Sequence, residues 1–231
     1  MSLVLDDYAL TWGDFTLDAT LALDEGALVA VIGPSGAGKS TLLSAIAGFA
    51  PPGRGRILWQ GRPIHDLPPW GRPVAVLFQD SNLFPHLTVE RNLALALDPR
   101  GRMTAAQKER IEEALGVVGL AGFGRRMPGQ LSGGQLSRAA LARVLLQDRA
   151  LVLLDEPFAA LGPGQKDEML RLAASRLREA GRTVLLVTHD PDEARTVADG
   201  IVTVIDGRAS GPHPVAILDE PDGPLSDYLG R

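Results

Sequence analysis

The run GPSGAGKST at Gly33–Thr41 restricts this chain more than any other feature, because few folds can hold such a turn. It satisfies the pattern GxxxxGK[ST], and both flanks agree with it. Val29 to Ile32 is wholly apolar, the pattern of a strand inside a parallel sheet, and Ser40 to Ala47 has helical periodicity that stops at Gly48. Strand, glycine turn and helix in that order make a nest for phosphate. Gly33, Gly36 and Gly38 let successive backbone N–H groups face phosphate oxygens, with Pro34, Ser35 and Ala37 completing the turn and the helix beginning near Lys39 presenting its positive end. Lys39 adds a point charge for the β- and γ-phosphates. Ser40, followed by Thr41, offers an oxygen to Mg2+.

The rest of the chain reads as an α/β core with one inserted helical block. LVLDDYALTW and FTLDATLALDEG precede the glycine turn, and alternation along Phe15, Leu17, Ala19, Leu21 and Leu23 predicts a strand with one buried face. Arg56 to Trp59 and Val74 to Phe78 are further strands between Pro- and Gly-rich turns. From about residue 88 the texture becomes helical: TVERNLALAL, AAQKERIEEALGVVGL and LSRAALARVLLQ. Strands return at Ala150 to Leu154 and Val184 to Val187, with helices at Glu168 to Glu179 and Pro191 to Ala198 and a two-stranded piece, IVTVIDGRAS. The expected division is a core over 1–86 and 150–210, a helical subdomain over 87–149, and a tail over 211–231 that wraps the surface.

Further acidic and polar groups fall at strand ends. LVLLDE puts Asp155 at the carboxyl end of an apolar strand, suited to the Mg2+ shell, and Glu156 beside it, suited to polarising an attacking water. A solvated acidic strand end is the plainer alternative. His189 ends another apolar strand, where it can reach a γ-phosphate and position that water. At Leu131–Gln135, LSGGQ reads as a helix start with Ser132 as N-cap, and Gly133 and Gly134 leave the positive helix end open beside Gln135. One nucleotide already has its loop, so this second phosphate-binding end calls for a second molecule.

Composition narrows the class. There is no cysteine, which removes disulfides, Cys-ligated metals and a thiol nucleophile. Lys and Arg number 23 against 28 Asp and Glu, and without a basic stripe nucleic acid is not an expected partner. Acidic residues occupy the place of a signal peptide's positive region, and no apolar run is long enough to span a bilayer. The expected place is the cytoplasm, with docking onto a membrane protein still open.

These residues together resemble an ATPase subunit of the ABC transporters over nearly the whole chain. Gly33–Thr41 is similar to Walker A, Gln79 to the Q-loop, and Leu131–Gln135 to the signature. Leu151–Glu156 is similar to Walker B with its catalytic glutamate, and His189 to the switch histidine. The resemblance implies a P-loop NTPase with an antiparallel β-subdomain and a helical subdomain. Its cofactors are ATP and Mg2+, the metal held by Ser40, Gln79 and Asp155. Lys39, Gln79, Glu156 and His189 carry the catalysis. Trp12, ahead of Gly13-Asp14, falls where the family's adenine-stacking aromatic lies, with Tyr8 as competitor. Two subunits pack head to tail around two ATPs, each offering Ser132, Gly133, Gly134 and Gln135 to the other's nucleotide. Permease subunits dock near Gln79–Asn92, where Phe84, Pro85 and His86 read as exposed. A periplasmic solute-binding protein takes part indirectly, and the motor sits on the cytoplasmic face of the bacterial inner membrane.

Within the family, IGPSGAGKSTLLSAIAGF, PPWGRPVAVLFQDSNLFPHLTVERNLALAL and LLDEPFAALGP look most like the ATPase subunits of bacterial thiamine importers. Import subunits for iron, molybdate, sulfate and polyamines usually continue into a C-terminal β-rich domain, for which this sequence has no room. Import of another small solute, export, a soluble non-transport ABC ATPase and a nonhydrolytic scaffold are the rival readings. Two departures stand out. Ala159, Ala160, Leu161 and Gly162 occupy a turn that commonly reads SALD, which removes hydrogen-bonding groups between sites, and Gly162 is expected to free the backbone. Leu136 replaces a positive residue after the signature, leaving Arg138 and Arg143 on the same helix.

Overall fold

Alternate burial of Leu17, Ala19, Leu21 and Leu23 makes one face of strand β2 (Phe15–Leu23) apolar, and it runs antiparallel to β1 (Leu3–Trp12). A computed structural model describes residues 1–51, 53–79, 83–221 and 223–230. β4 (Arg54–Trp59) flanks β1 on its other side and is followed by the short β5 (Arg62–Pro63), all antiparallel. The apolar runs become parallel strands: β3 (Leu28–Ile32), β6 (Val74–Leu77), β7 (Leu151–Asp155) and β8 (Thr183–Val187). Every residue of β3, β7 and β8 is buried, as strands covered on both faces require.

The hairpin of β9 (Gly200–Ile205) and β10 (Arg208–His213) joins the two portions, because β9 lies parallel to β3 and β10 parallel to β2. Among the described residues the strand order is β5-β4-β1-β2-β10-β9-β3-β8-β7-β6. On one face Val29, Val31, Leu151, Leu153, Leu185 and Val187 pack with Leu42, Leu43 and Ile46 of α1 (Lys39–Ala47). On the other, Val152, Leu154, Val184 and Leu186 pack against α4 (Gly133–Leu146) and α5 (Pro163–Glu179), which contribute Leu141 and Leu170. Each such side chain contributes about 1.5–3 kcal/mol on burial. Helices α2 (Val89–Leu97) and α3 (Ala105–Val117) pack with α4 as the inserted block.

Two boundaries differ from expectation. α5 begins at Pro163 rather than near 168, since proline at the first helical position presets φ and loses no needed N–H. At the C-terminus β10 crosses the boundary placed at 210/211, and the residues beyond it do more than wrap the surface. Leu218 and Leu225, the latter on α7 (Pro224–Leu229), are buried with Ala30, Ile32, Ala194 and Ile201. Arg195 of α6 (Pro191–Val197) fastens this segment, reaching Asp219 at 3.1 Å and the Leu218 carbonyl at 2.8 Å. Single anchor residues leave no periodic trace in a sequence. Among the described residues no helix is long and apolar enough to cross a membrane.

Candidate active site

Parallel register brings the chemically interesting strand ends to one edge of the sheet. Val187 pairs with both Val31 and Asp155, and Leu77 pairs with Leu154. Gly33, His189, Asp155-Glu156 and Gln79 therefore follow neighbouring strands at their carboxyl ends, where open α/β sheets hold ligands.

The glycine turn needs its glycines. Gly33, Gly36 and Gly38 have φ of +154°, +78° and +108°. A Cβ on Gly33 would lie 1.9 Å from the Val204 carbonyl oxygen, and one on Gly38 would lie 2.5 Å from the Phe15 ring. Lys39 is buried, and its Nζ donates to the carbonyls of Gly33 and Pro34, each at 2.8 Å. Burial lowers its pKa, while Glu156 and Asp155 act in the other direction. A cavity of about 510 Å³ lies against Pro34, Ser35, Gly36 and Ala37, with Phe15 and Asp206 also in its wall. Ser40 and Thr41 open the helix immediately after it.

The two acidic side chains diverge. Asp155 is buried, which pushes its pKa up; Glu156 adds to the rise, and the neighbouring Ser40 hydroxyl and Lys39 oppose it. A buried carboxylate and a hydroxyl in contact, with a raised pKa that a cation would relieve, fit Mg2+. Among the described residues no group of three or more His, Asp or Glu is placed to hold a metal ion by itself. Glu156 sits in the left-handed region at φ +43°, a conformation costing about 1–3 kcal/mol outside glycine. Its N–H donates to the Val187 carbonyl at 3.1 Å and its carbonyl accepts from Ala159 N–H at 3.2 Å. That turn swings its carboxylate to 3.3 Å from His189 Nδ1. Behind His189, Thr188 bonds to Glu193, which pairs with Lys166 of α5.

The signature residues lie elsewhere in the chain. Ser132 is the N-cap of α4, its hydroxyl accepting from Gln135 N–H at 3.3 Å while Gln135 Oε1 accepts from Ser132 N–H at 3.0 Å. A cavity of about 230 Å³ borders Ser132, Gly134, Gln135 and Arg138 and shares no lining residue with the one at the phosphate turn. Gly133 faces Ala160, and Gly134 faces Leu161 so closely that a Cβ would come within 2.6 Å of it. Arg143 belongs to the last turn of α4, about 15 Å from the helix start at 1.5 Å per residue, so Arg138 alone of that pair stands near the signature end.

Trp12 is 48% exposed at the end of β1, opposite Phe15 in register, whereas Tyr8 is buried in the β-portion and offers no open ring face. Phe15, which the strand alternation assigned only to packing, is the aromatic that touches the phosphate turn; nothing in the pattern separates that role from core packing. Gln79 is exposed just past β6. Residues 80–82 of the 79–92 docking segment lie outside the described residues. Phe84, Pro85 and His86 are exposed, and the turn is held by Asn92. Asn92 is fully buried, accepts from Phe84 N–H at 2.7 Å and donates to the carbonyls of Phe84, Leu87 and Thr88 at 3.1 Å. Coming directly after Glu90 and Arg91, it reads in the sequence as part of a polar stretch and gives no signal of its own. Gly162 has φ −67°, a value open to any residue, and leaves α5 without a side-chain cap.

Comparison with known proteins shows the family. Residues 17–159 match the family model described as ABC transporter. A thiamine import ATP-binding protein ThiQ of Cereibacter sphaeroides is 56% identical over 227 residues, covering 98% of both chains. One from Ruegeria sp. is 52% identical with the same coverage. Among solved structures, the dimeric post-hydrolysis state of the ATP-binding cassette MJ0796 bound to ADP and Pi has a TM-score of 0.80 at 30% identity, covering 92% of this chain and 98% of that one.

Proposed function

This chain belongs to the ABC transporter family as an ATPase subunit, and from that premise we propose that it is the ATP-hydrolysing motor of a bacterial thiamine importer. The observation that carries the chemistry is the divergence of two adjacent carboxylates, Asp155 toward Ser40 and Glu156 toward His189, beside a lysine held on the phosphate turn.

Each residue then has a job. The N–H groups of Gly33 to Thr41 bind the phosphates, and Lys39 exchanges its two carbonyl partners for phosphate oxygens. Ser40, Asp155 and Gln79 hold Mg2+, which neutralises phosphate charge when bound. Glu156 accepts a hydrogen bond from the attacking water and takes its proton, while His189 orients that water toward the γ-phosphate. Trp12, exposed beside the cavity wall at Phe15, stacks on adenine.

Two chains act together. The phosphate turn and the signature end border separate cavities, so a head-to-tail homodimer completes each site by bringing Ser132, Gly133, Gly134 and Gln135 of one chain to the nucleotide of the other. Similarity to a dimeric cassette holding ADP and Pi supports that arrangement. Permease subunits dock at the exposed Phe84 turn, where the Phe84 ring lies 5.9 Å from that of His86. The motor thereby rests on the cytoplasmic face of the inner membrane, and the periplasmic solute-binding protein acts through the permease.

The substrate assignment rests on relatives at 52–56% identity, since a motor subunit never touches the cargo. Co-purification with the permease, followed by ATPase measurement with candidate solutes on their binding protein, tests it. Stimulation by thiamine-loaded binding protein is the expected result. Stimulation by another solute, with none from thiamine, would overturn the substrate while leaving the motor.

A further inference from the structure

The C-terminal helix reaches the catalytic edge from outside the region matched by the family model. Tyr228 of α7 donates its hydroxyl to the backbone carbonyl of His189 at 3.2 Å. Its ring is half-buried, and the hydroxyl pKa is raised by burial first and then by the negative charges of Glu156 and Asp190. At neutral pH the phenol keeps its proton and donates it. The helix carrying it is seated firmly. Leu225 is 4% exposed and packs with Ile32, the residue before Gly33, and with Ala194 of α6. Arg195 ties α6 to the preceding residues Leu218 and Asp219.

The neighbours of His189 are held by the sheet and by side chains. Thr188 N–H bonds to the Val31 carbonyl at 3.2 Å, and Asp190 N–H bonds to Thr188 Oγ1 at 3.0 Å. The His189 peptide plane fixes where its imidazole starts, and a hydrogen bond to its carbonyl restricts that plane. Small displacements of a catalytic group cost rate steeply.

We propose that Tyr228 is a positioning residue for His189, tying the seating of the C-terminal helix to the placement of the imidazole beside Glu156. The inference rests on the reading of His189 as a catalytic group. It implies that the C-terminal segment sets the turnover rate of a site whose nucleotide it does not touch.

Tyr228→Phe removes the hydroxyl and keeps the ring. In the full chain assembled with its permease, kcat should fall about five- to tenfold while KM for ATP stays within about twofold, because an interaction acting in the chemical step has been loosened. In a His189→Ala background the same change should cost nothing further. Amide hydrogen exchange on the isolated subunit should show faster exchange at residues 188–190 in Tyr228→Phe, with the β3 amides unchanged. A kcat within about twofold of the parent, an equal further loss in the His189→Ala background, or unaltered exchange at 188–190 would each overturn the proposal. A parent protein without any turnover would instead overturn the motor reading, and the exchange comparison would still decide whether Tyr228 holds the segment.

Discussion

His189 Nδ1 stands 3.3 Å from Glu156 Oε2, although the two residues leave different strands and Glu156 must adopt a left-handed backbone to make the approach. The parallel pairing of Asp155 with Val187 sets the two strand ends level, and the Glu156 N–H to Val187 carbonyl bond holds the turn. Local strain is thus maintained by the sheet at the point where Glu156, the proposed base, meets His189.

That strain gives a stability prediction. Glu156→Gly should abolish turnover and leave the nucleotide-free protein as stable as the parent or more so, by up to about 1 kcal/mol, because glycine adopts positive φ without steric cost. Denaturant unfolding monitored by circular dichroism checks it. A loss above about 1 kcal/mol would mean that Glu156 is not strained.

Asp155 predicts a pH dependence of definite sign. Its folded pKa lies above the unfolded value because of burial. Between those two values the native state holds more protons than the unfolded one, so this group's contribution falls as pH rises through the window and then stays unfavourable. Asp155→Asn should make the nucleotide-free protein more stable at neutral pH, with the gain shrinking as pH drops toward the usual carboxylate range. Mg2+ with ATP should stabilise the parent more than the variant, which keeps the phosphate turn and Lys39 but loses a metal ligand. Unfolding midpoints across pH, with and without Mg2+ and ATP, measure both effects.

The turn at Ala159–Gly162 makes a prediction about coupling. Ala159 and Ala160 are exposed and Gly162 has an ordinary φ, so Ser and Asp fit there without strain. A Cβ on Gly162 meets nothing within 4 Å. Ala159→Ser with Gly162→Asp should raise the ATP Hill coefficient of the assembled transporter above that of the parent. The new cap on α5 should add a few tenths of a kcal/mol of stability. Strong cooperativity in the parent would contradict the view that this turn loosens communication between sites.

Much of the site is legible in the sequence because phosphate chemistry leaves local marks. Gly33 to Thr41 and Ser132 to Gln135 announce themselves through short-range backbone needs, and the apolar strands before Asp155 and His189 fix their order at the sheet edge. Contacts between one side chain and a backbone outside its own element leave no such mark. Phe15 against Gly38, Asn92 inside the Phe84 turn and Tyr228 under His189 each depend on one side chain meeting a separate stretch of backbone, which no periodicity records. The φ of Gly162 is equally hidden, because glycine tolerates both signs of φ and its presence does not say which is used.

The central claim is that Glu156 is the base of an ATP-hydrolysing motor whose sites are completed by a second chain. ATP turnover and oligomeric state of Glu156→Gln test it most directly. The variant should lose turnover by at least about 100-fold, as removal of a general base does, yet keep ATP and persist as a dimer where the parent separates after hydrolysis. Turnover close to that of the parent would contradict the assignment.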